Sequence, residues 1–339
     1  MNNKKLFVAS ILIFIVVFCL DYFCYEQIAF HDNAPNFTLP FILRSLALFL
    51  STYLFIKAFE NKAVKYVEKE SFLKGKLNRI GLSIGILLTT YFSYLLIFKN
   101  EVFDALAKED SIVEYSSALL AFLSSILLLF CYFKYFHSPR SKNVLLKIIV
   151  LTIAFGLFLI AMEEISWFQR IIDFKTPDAF KSNGQREFNL HNFQTNYVEG
   201  VYYFGAFIFF LFIPYINTNT RFFKNRNLEI LVPSRALIII GALSSTYNYD
   251  MWNIAFMQIA FYGSIIILWQ LSKKEIQKRE RLFLRFTIIF IIVIQIVFVS
   301  FGANYIRLWS ITEYREFIIP FGSLIYSFDL YLKLKKNNN

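Results

Sequence analysis

The sequence predicts an all-α fold, a polytopic transmembrane helix bundle of about ten spans with both termini cytoplasmic. Three observations carry this. The 339 residues are 57% hydrophobic and 19% aromatic, with a mean hydropathy of +0.50, too apolar for a soluble domain. Apolar runs recur along the whole chain at lengths that cross the hydrocarbon core of a bilayer as helices. The basic residues behind the formal net charge of +11 sit in short links between those runs. There they read as topology signals, and no nucleic-acid partner is expected.

Taken in order, the first run follows Lys4 and Lys5 and extends from Leu6 to Leu20. It has the general plan of a signal peptide, but no A-x-A site follows, and Phe18 before Cys19 argues against lipoprotein cleavage. An uncleaved first span is expected. The spans are predicted within 6–23, 39–59, 78–98, 112–136, 144–168, 197–216, 231–248, 252–271, 283–303 and 312–332. The seventh and eighth are joined by a tight YNYDMWN hairpin. Nothing separates two domains, so residues 1–339 read as one integral membrane unit, with 169–196 as its polar extracytoplasmic loop. The longest link on the other side, Glu60 to Arg79, is Lys-rich and amphipathic. It reads as a solvated charged face, with a position along anionic lipid as the alternative.

An even number of spans places both termini on one side. The loops of the opposite side then hold Lys99, Lys108, Arg170, Lys175, Lys181, Arg186, Arg307 and Arg315. With Arg44 just inside a span these make only nine of the 35 basic residues. The positive-inside rule puts the termini in the cytoplasm. Acidic residues from Asp21 to Glu316 gather toward the outer side. They describe either ordinary loop solvation or a polar funnel opening outward. Trp167, Trp252 and Trp309 fall at the same level, as in an interfacial belt. Cys19, Cys24 and Cys131 have no disulfide or metal spacing.

Ser111-Ile-Val-Glu114 and Ser310-Ile-Thr-Glu313 read as capping boxes that open spans four and ten. A carboxylate at that position also meets the positive end of the helix dipole, and one facing the bundle lines a cavity as well. Glu163 and Glu164 have no such role, because they lie where the dipole of span five disfavours negative charge. If that helix continues, Glu163, Trp167 and Arg170 share a face. An interfacial ion pair between Arg170 and Glu163 is the structural reading. Two neighbouring carboxylates also tend to share a proton, which is the functional one.

The polar focus spans Ala161 to Asn192. Thr176-Pro177-Asp178 marks a turn or helix start and Ser182-Asn183-Gly184 a second turn. Beyond them, Glu187 and His191 would share one face of a helix. His31 and His137 lie in other connecting segments. The two blocks E-E-I-S-W-F-Q-R at 163–170 and N-G-Q-R-E-F-N-L-H-N at 183–192 resemble those of a family of uncharacterised bacterial multi-pass membrane proteins. There they run E-E-[IL]-S-W-G-Q-R and N-x-Q-x-E-x-N-L-H-N, joined by a short loop with T-P. The match covers Glu163, Glu164, Ser166, Trp167, Gln169, Arg170, Pro177, Asn183, Gln185, Glu187, Asn189, His191 and Asn192. It departs at Phe168, where the family has Gly. An acidic block at Glu109, Asp110, Glu114 and Tyr115 is also similar. The resemblance implies a bacterial inner membrane as the location and a shared site, but no activity.

The chemistry expected of that site is acid–base. Glu163, Glu164, His191 and Glu187 are the candidate catalytic groups. Trp167, Arg170, Gln185, Asn189, Asn192, Glu114 and Glu313 are the candidates for holding a substrate, with Arg170, Gln185 and Asn192 suited to an anionic group. A site ringed by aromatics at the membrane surface suits an amphiphilic or lipid-linked substrate, processed by hydrolysis or group transfer, with membrane lipid as partner. In a metal variant Glu163 or Glu164, Glu187 and His191 hold a divalent ion that the sequence does not name. The alternatives are a proton- or cation-coupled transporter, weakened because polar residues are scarce at mid-span, with only Gln258, Gln295 and Arg44 as material for a path, and because no inverted repeat is visible, and a non-catalytic scaffold or sensor.

Overall fold

A computed structural model describes residues 3–24, 34–60, 75–136, 144–183, 186–220, 222–223 and 228–338. Gln185, His31, His137 and most of the 60–79 link therefore lie outside the described residues. The rest forms an all-α multi-pass bundle, built from α1 (Asn3–Phe23), α2 (Leu39–Ala58), α3 (Lys76–Phe98), the short α4 (Asn100–Leu106), α5 (Ile112–Cys131) and α6 (Val144–Glu164). It continues with α7 (Thr195–Thr220), α8 (Arg235–Ser244), α9 (Ala255–Lys274), α10 (Lys278–Ser300) and α11 (Ser310–Asn338). Nine of these, among the described residues, are long and apolar enough to cross a membrane; α4 and α8 are not. Their outward faces are apolar too: Leu12, Leu46, Leu87, Ile148 and Ile289 are all exposed, as expected where lipid replaces water.

Helix ends sort into two faces through named contacts. On the face of the termini, Arg235 pairs with Glu275 at 2.9 Å, and the Lys333 ammonium donates to the Val232 carbonyl at 2.8 Å. On the opposite face, Arg307 pairs with Asp104 at 2.9 Å, and the Asn36 amide donates to Asn253 at 3.3 Å. This alternation fits ten crossings.

The seventh crossing departs from expectation. In place of a helix through 231–248, α8 is a ten-residue half-helix, buried on every side from Ala236 to Ser244. It sits at the centre of the bundle, packed on α3, α11 and α7. Gly241 permits this, since a Cβ there would come within 2.7 Å of Phe210 Cβ. The chain then unwinds through Ser245–Ile254, where every residue is buried apart from the half-buried Trp252. Irregular backbone at membrane depth must find all its partners inside the protein. Ser244, Ser245 and Thr246 bend their hydroxyls back onto the carbonyls of Gly241, Ala242 and Leu243. The Arg315 guanidinium donates to the carbonyls of Ser244 (3.0 Å) and Ser245 (3.5 Å). A cation thus meets the negative end of the half-helix. Gln295 holds the Asn248 carbonyl at 2.6 Å, and Tyr247 donates to Thr89 at 2.8 Å.

Span five ends at Glu164, four residues earlier than expected. Ser166, Trp167 and Phe168 all take the left-handed conformation, with φ of 44°, 52° and 64°. That region favours glycine, which gives a backbone reason for a glycine at position 168. The triple reversal throws the chain back across the bundle mouth.

A carboxylate crevice under a clasped loop

Most of the polar focus is occupied in holding the 165–193 loop together. Gln169 accepts from the Phe188 amide at 2.5 Å and donates to Thr176 at 2.7 Å. Asn183 brackets residue 187, donating to its carbonyl at 2.6 Å and accepting from its amide at 3.1 Å. The Glu187 carboxylate accepts from Ser166 (2.5 Å), from Asn189 (3.3 Å) and from Arg170. Phe188 supplies a small apolar centre, its ring 4.6 Å from Phe180 and 5.9 Å from Phe174. Glu187, Asn189 and Asn192 are all buried.

Arg170 does not pair with Glu163. It bridges Glu187 to Asp110 and Glu109, in the turn before α5, and so straps the loop to the bundle. Burial alone lowers the affinity of its guanidinium for protons, but the Asp110 hydrogen bond and charge outweigh this and hold it above its ordinary value. Nor do Glu187 and His191 share a helix face: the segment is a series of bends until the single turn His191–Phe193. The metal arrangement of Glu187 with His191 is not assembled. Among the described residues no three such donors gather to hold an ion.

The two neighbouring glutamates point to different tasks. Glu163 accepts from the Trp167 indole (2.7 Å), the amides of Leu190 (2.6 Å) and His191 (3.0 Å), and the His191 ring at Nδ1 (3.4 Å). It is the anchor on which the loop closes, and it orients the imidazole. Glu164 turns into the bundle, accepting from Ser117 of α5 at 2.9 Å.

Around Glu164 the structure collects residues that the sequence pattern left scattered. Glu114 from α5 and Glu313 and Glu316 from α11 lie near enough for their charges to act on Glu164. Tyr203 of α7 donates to Glu316 at 2.7 Å, and His191 acts electrostatically on Glu316 from above. Each of these carboxylates keeps partial solvent access. Together they line a crevice between α5, α6, α7 and α11, beneath the loop. The Tyr202 hydroxyl is buried next to Glu164 and Glu316 and has no hydrogen-bond partner among the described residues.

Neither capping box forms as expected. Ser111 donates to the Leu106 carbonyl, and Glu114 reaches the Asp110 amide, both at 2.5 Å. Ser310 donates to Asp104 at 2.7 Å, which leaves Glu313 to the crevice. The N-terminal turns of α5 and α11 still direct their positive dipole ends at the carboxylates.

The pattern reading missed Ser117, Tyr202, Tyr203 and Glu316. One signal was available: Glu313 and Glu316 stand three apart at the start of a helix, and so share a face. Comparison with family models, curated proteins and solved structures finds no match.

Proposed function

We propose that the crevice is an acid–base site of a membrane-embedded hydrolase or transferase, acting on an amphiphilic or lipid-linked substrate. The observation that carries this is the His191 ring, oriented by Glu163 through Nδ1 and set over carboxylates beside the unbonded Tyr202 hydroxyl. A carboxylate that fixes one imidazole nitrogen leaves the other to move a proton. Carboxyls sharing one crevice do not all ionise together, so the cluster holds a proton for donation. Tyr202 offers a hydrogen bond to a substrate polar group. The resemblance of the two motif blocks supports a bacterial inner-membrane location, and the charge asymmetry supports a crevice on the extracytoplasmic side.

The test is incubation of the purified protein in nanodiscs with a total polar lipid extract, followed by mass spectrometry. Wild type is expected to convert one lipid class, and Glu164→Gln and His191→Ala to abolish conversion while remaining folded. Lipid profiles that do not differ between wild type and the two variants would overturn the reading.

A proton- or cation-coupled transporter has one observation in its favour, the discontinuous seventh crossing. Against a continuous path, Leu237, Ile238, Ile239, Ile240, Ala242 and Leu243 are apolar and at most 1% exposed. A buried apolar stretch of this kind weighs against a polar path toward the face of the termini. Proton flux in proteoliposomes, measured with a lumenal pH dye, separates the two readings.

A further inference from the structure

A second polar feature lies apart from the crevice, between α1 and α2. Asp21 and Arg44 form a bidentate pair, Nε to Oδ1 and Nη2 to Oδ2 both at 2.5 Å. The side chains are 0% and 3% exposed, respectively. Such a pair is electrically neutral, yet a guanidinium carries five N–H donors. Arg44 Nη1 is buried with no hydrogen-bond partner among the described residues. A buried donor left unmade is costly, so this nitrogen calls for an acceptor.

Arg44 lines a cavity of about 560 Å³, within the range of ligand sites. Its walls are apolar: Leu12, Val16 and Leu20 from α1, and Leu39, Leu43 and Ala47 from α2. Leu12, Val16, Leu39 and Leu43 are more than half exposed, so the groove opens sideways, where a membrane helix meets acyl chains. Asp21 lies two residues from the end of α1 and Arg44 five past the start of α2. At about 1.5 Å per residue the pair sits within roughly 3–8 Å of the helix ends, at the boundary between hydrocarbon and headgroups.

We infer that the α1–α2 groove holds one diacyl phospholipid of the leaflet facing the crevice, an acyl chain along the groove and an ester carbonyl accepting from Arg44 Nη1. The neutrality of the Asp21–Arg44 pair selects the acceptor. An uncharged carbonyl satisfies Nη1 without adding a net charge at that depth, whereas a phosphate would add one. The depth matches the glycerol esters. This site is independent of the acid–base reading.

The experiment compares dioleoyl phosphatidylethanolamine with its dialkyl ether analogue, which has the same headgroup and chain length but no ester carbonyls. Binding to full-length protein is read by native mass spectrometry from detergent. Wild type is expected to favour the ester lipid by about fivefold, the size of a single net hydrogen bond. Val16→Trp, at the exposed rim, and Ala47→Phe, on the floor, should block the groove and remove the preference without touching the ion pair. Equal retention of ester and ether lipids by wild type overturns the proposal. So does a preference that survives in both blocked variants. If a variant fails to insert, the wild-type comparison decides alone.

Discussion

At the residue scale, Glu163 and Glu164 show how one dipeptide serves two ends. Glu163 takes up four donors of the loop and its neighbours. Glu163→Gln therefore gives the exposed Leu190 amide and the half-buried His191 amide a poorer acceptor and should destabilise by about 1 kcal/mol, read as a lower unfolding temperature in detergent and faster proteolysis of the loop. Glu164→Gln should keep the wild-type melting curve. The left-handed turn offers a second contrast. A non-glycine residue in that region costs about 1 kcal/mol or more, and Phe168 is 41% exposed, so little packing is lost with the ring. Phe168→Gly is expected to leave stability unchanged or raise it, while Phe168→Ala, which keeps the strain, lowers it. A larger loss for glycine than for alanine would show that the ring outweighs the backbone.

At the element scale, the helices were legible because each is a long apolar run, and for a bilayer that pattern is nearly sufficient. The half-helix was not legible. Its apolar residues continue the run, and what stops it is a cation from another helix, Arg315, on the Ser244 and Ser245 carbonyls. The crevice was legible only in part for a related reason. Glu164, Glu114 and Glu313 stand out as charges in apolar surroundings, but their meeting depends on which helices pack together. Arg315→Leu removes the cap from buried carbonyls and should cost about 1–3 kcal/mol for each, measured by thermal unfolding in micelles. The junction of α4 and α11 should respond to acid. Burial pushes the Asp104 carboxyl up, but hydrogen bonds from Arg307 and Ser310 outweigh it and hold the group below its ordinary value of 3.8. A depressed value means that Asp104 stabilises the fold above the unfolded value, and that this is lost as pH falls through the folded one. Wild type should thus lose stability below about pH 4, and Asp104→Asn should flatten that part of the profile.

At the scale of the whole molecule, the contacts pair helix ends in a way that fits ten crossings, and the charge count then decides which face is which. The termini side carries 26 of the 35 basic residues, an excess that directs cytoplasmic placement. The loop over the crevice should accordingly be outside. Asn183, in the middle of that loop, is 5% exposed and bonded to residue 187, so a thiol placed there would be shielded whatever the topology. Asp178 is the better probe, since its side chain is 93% exposed and, among the described residues, pairs with the nearby Lys181. Cys19 and Cys24 are themselves exposed and must first be replaced by serine. A single cysteine at position 178 should then react with a membrane-impermeant maleimide in intact cells, and one at Lys335, near the far end of α11, only after permeabilisation. The opposite pattern would place the carboxylate crevice on the cytoplasmic side. Its protons would then come from the cytoplasm, and the amphiphilic substrate proposed for it from the inner leaflet.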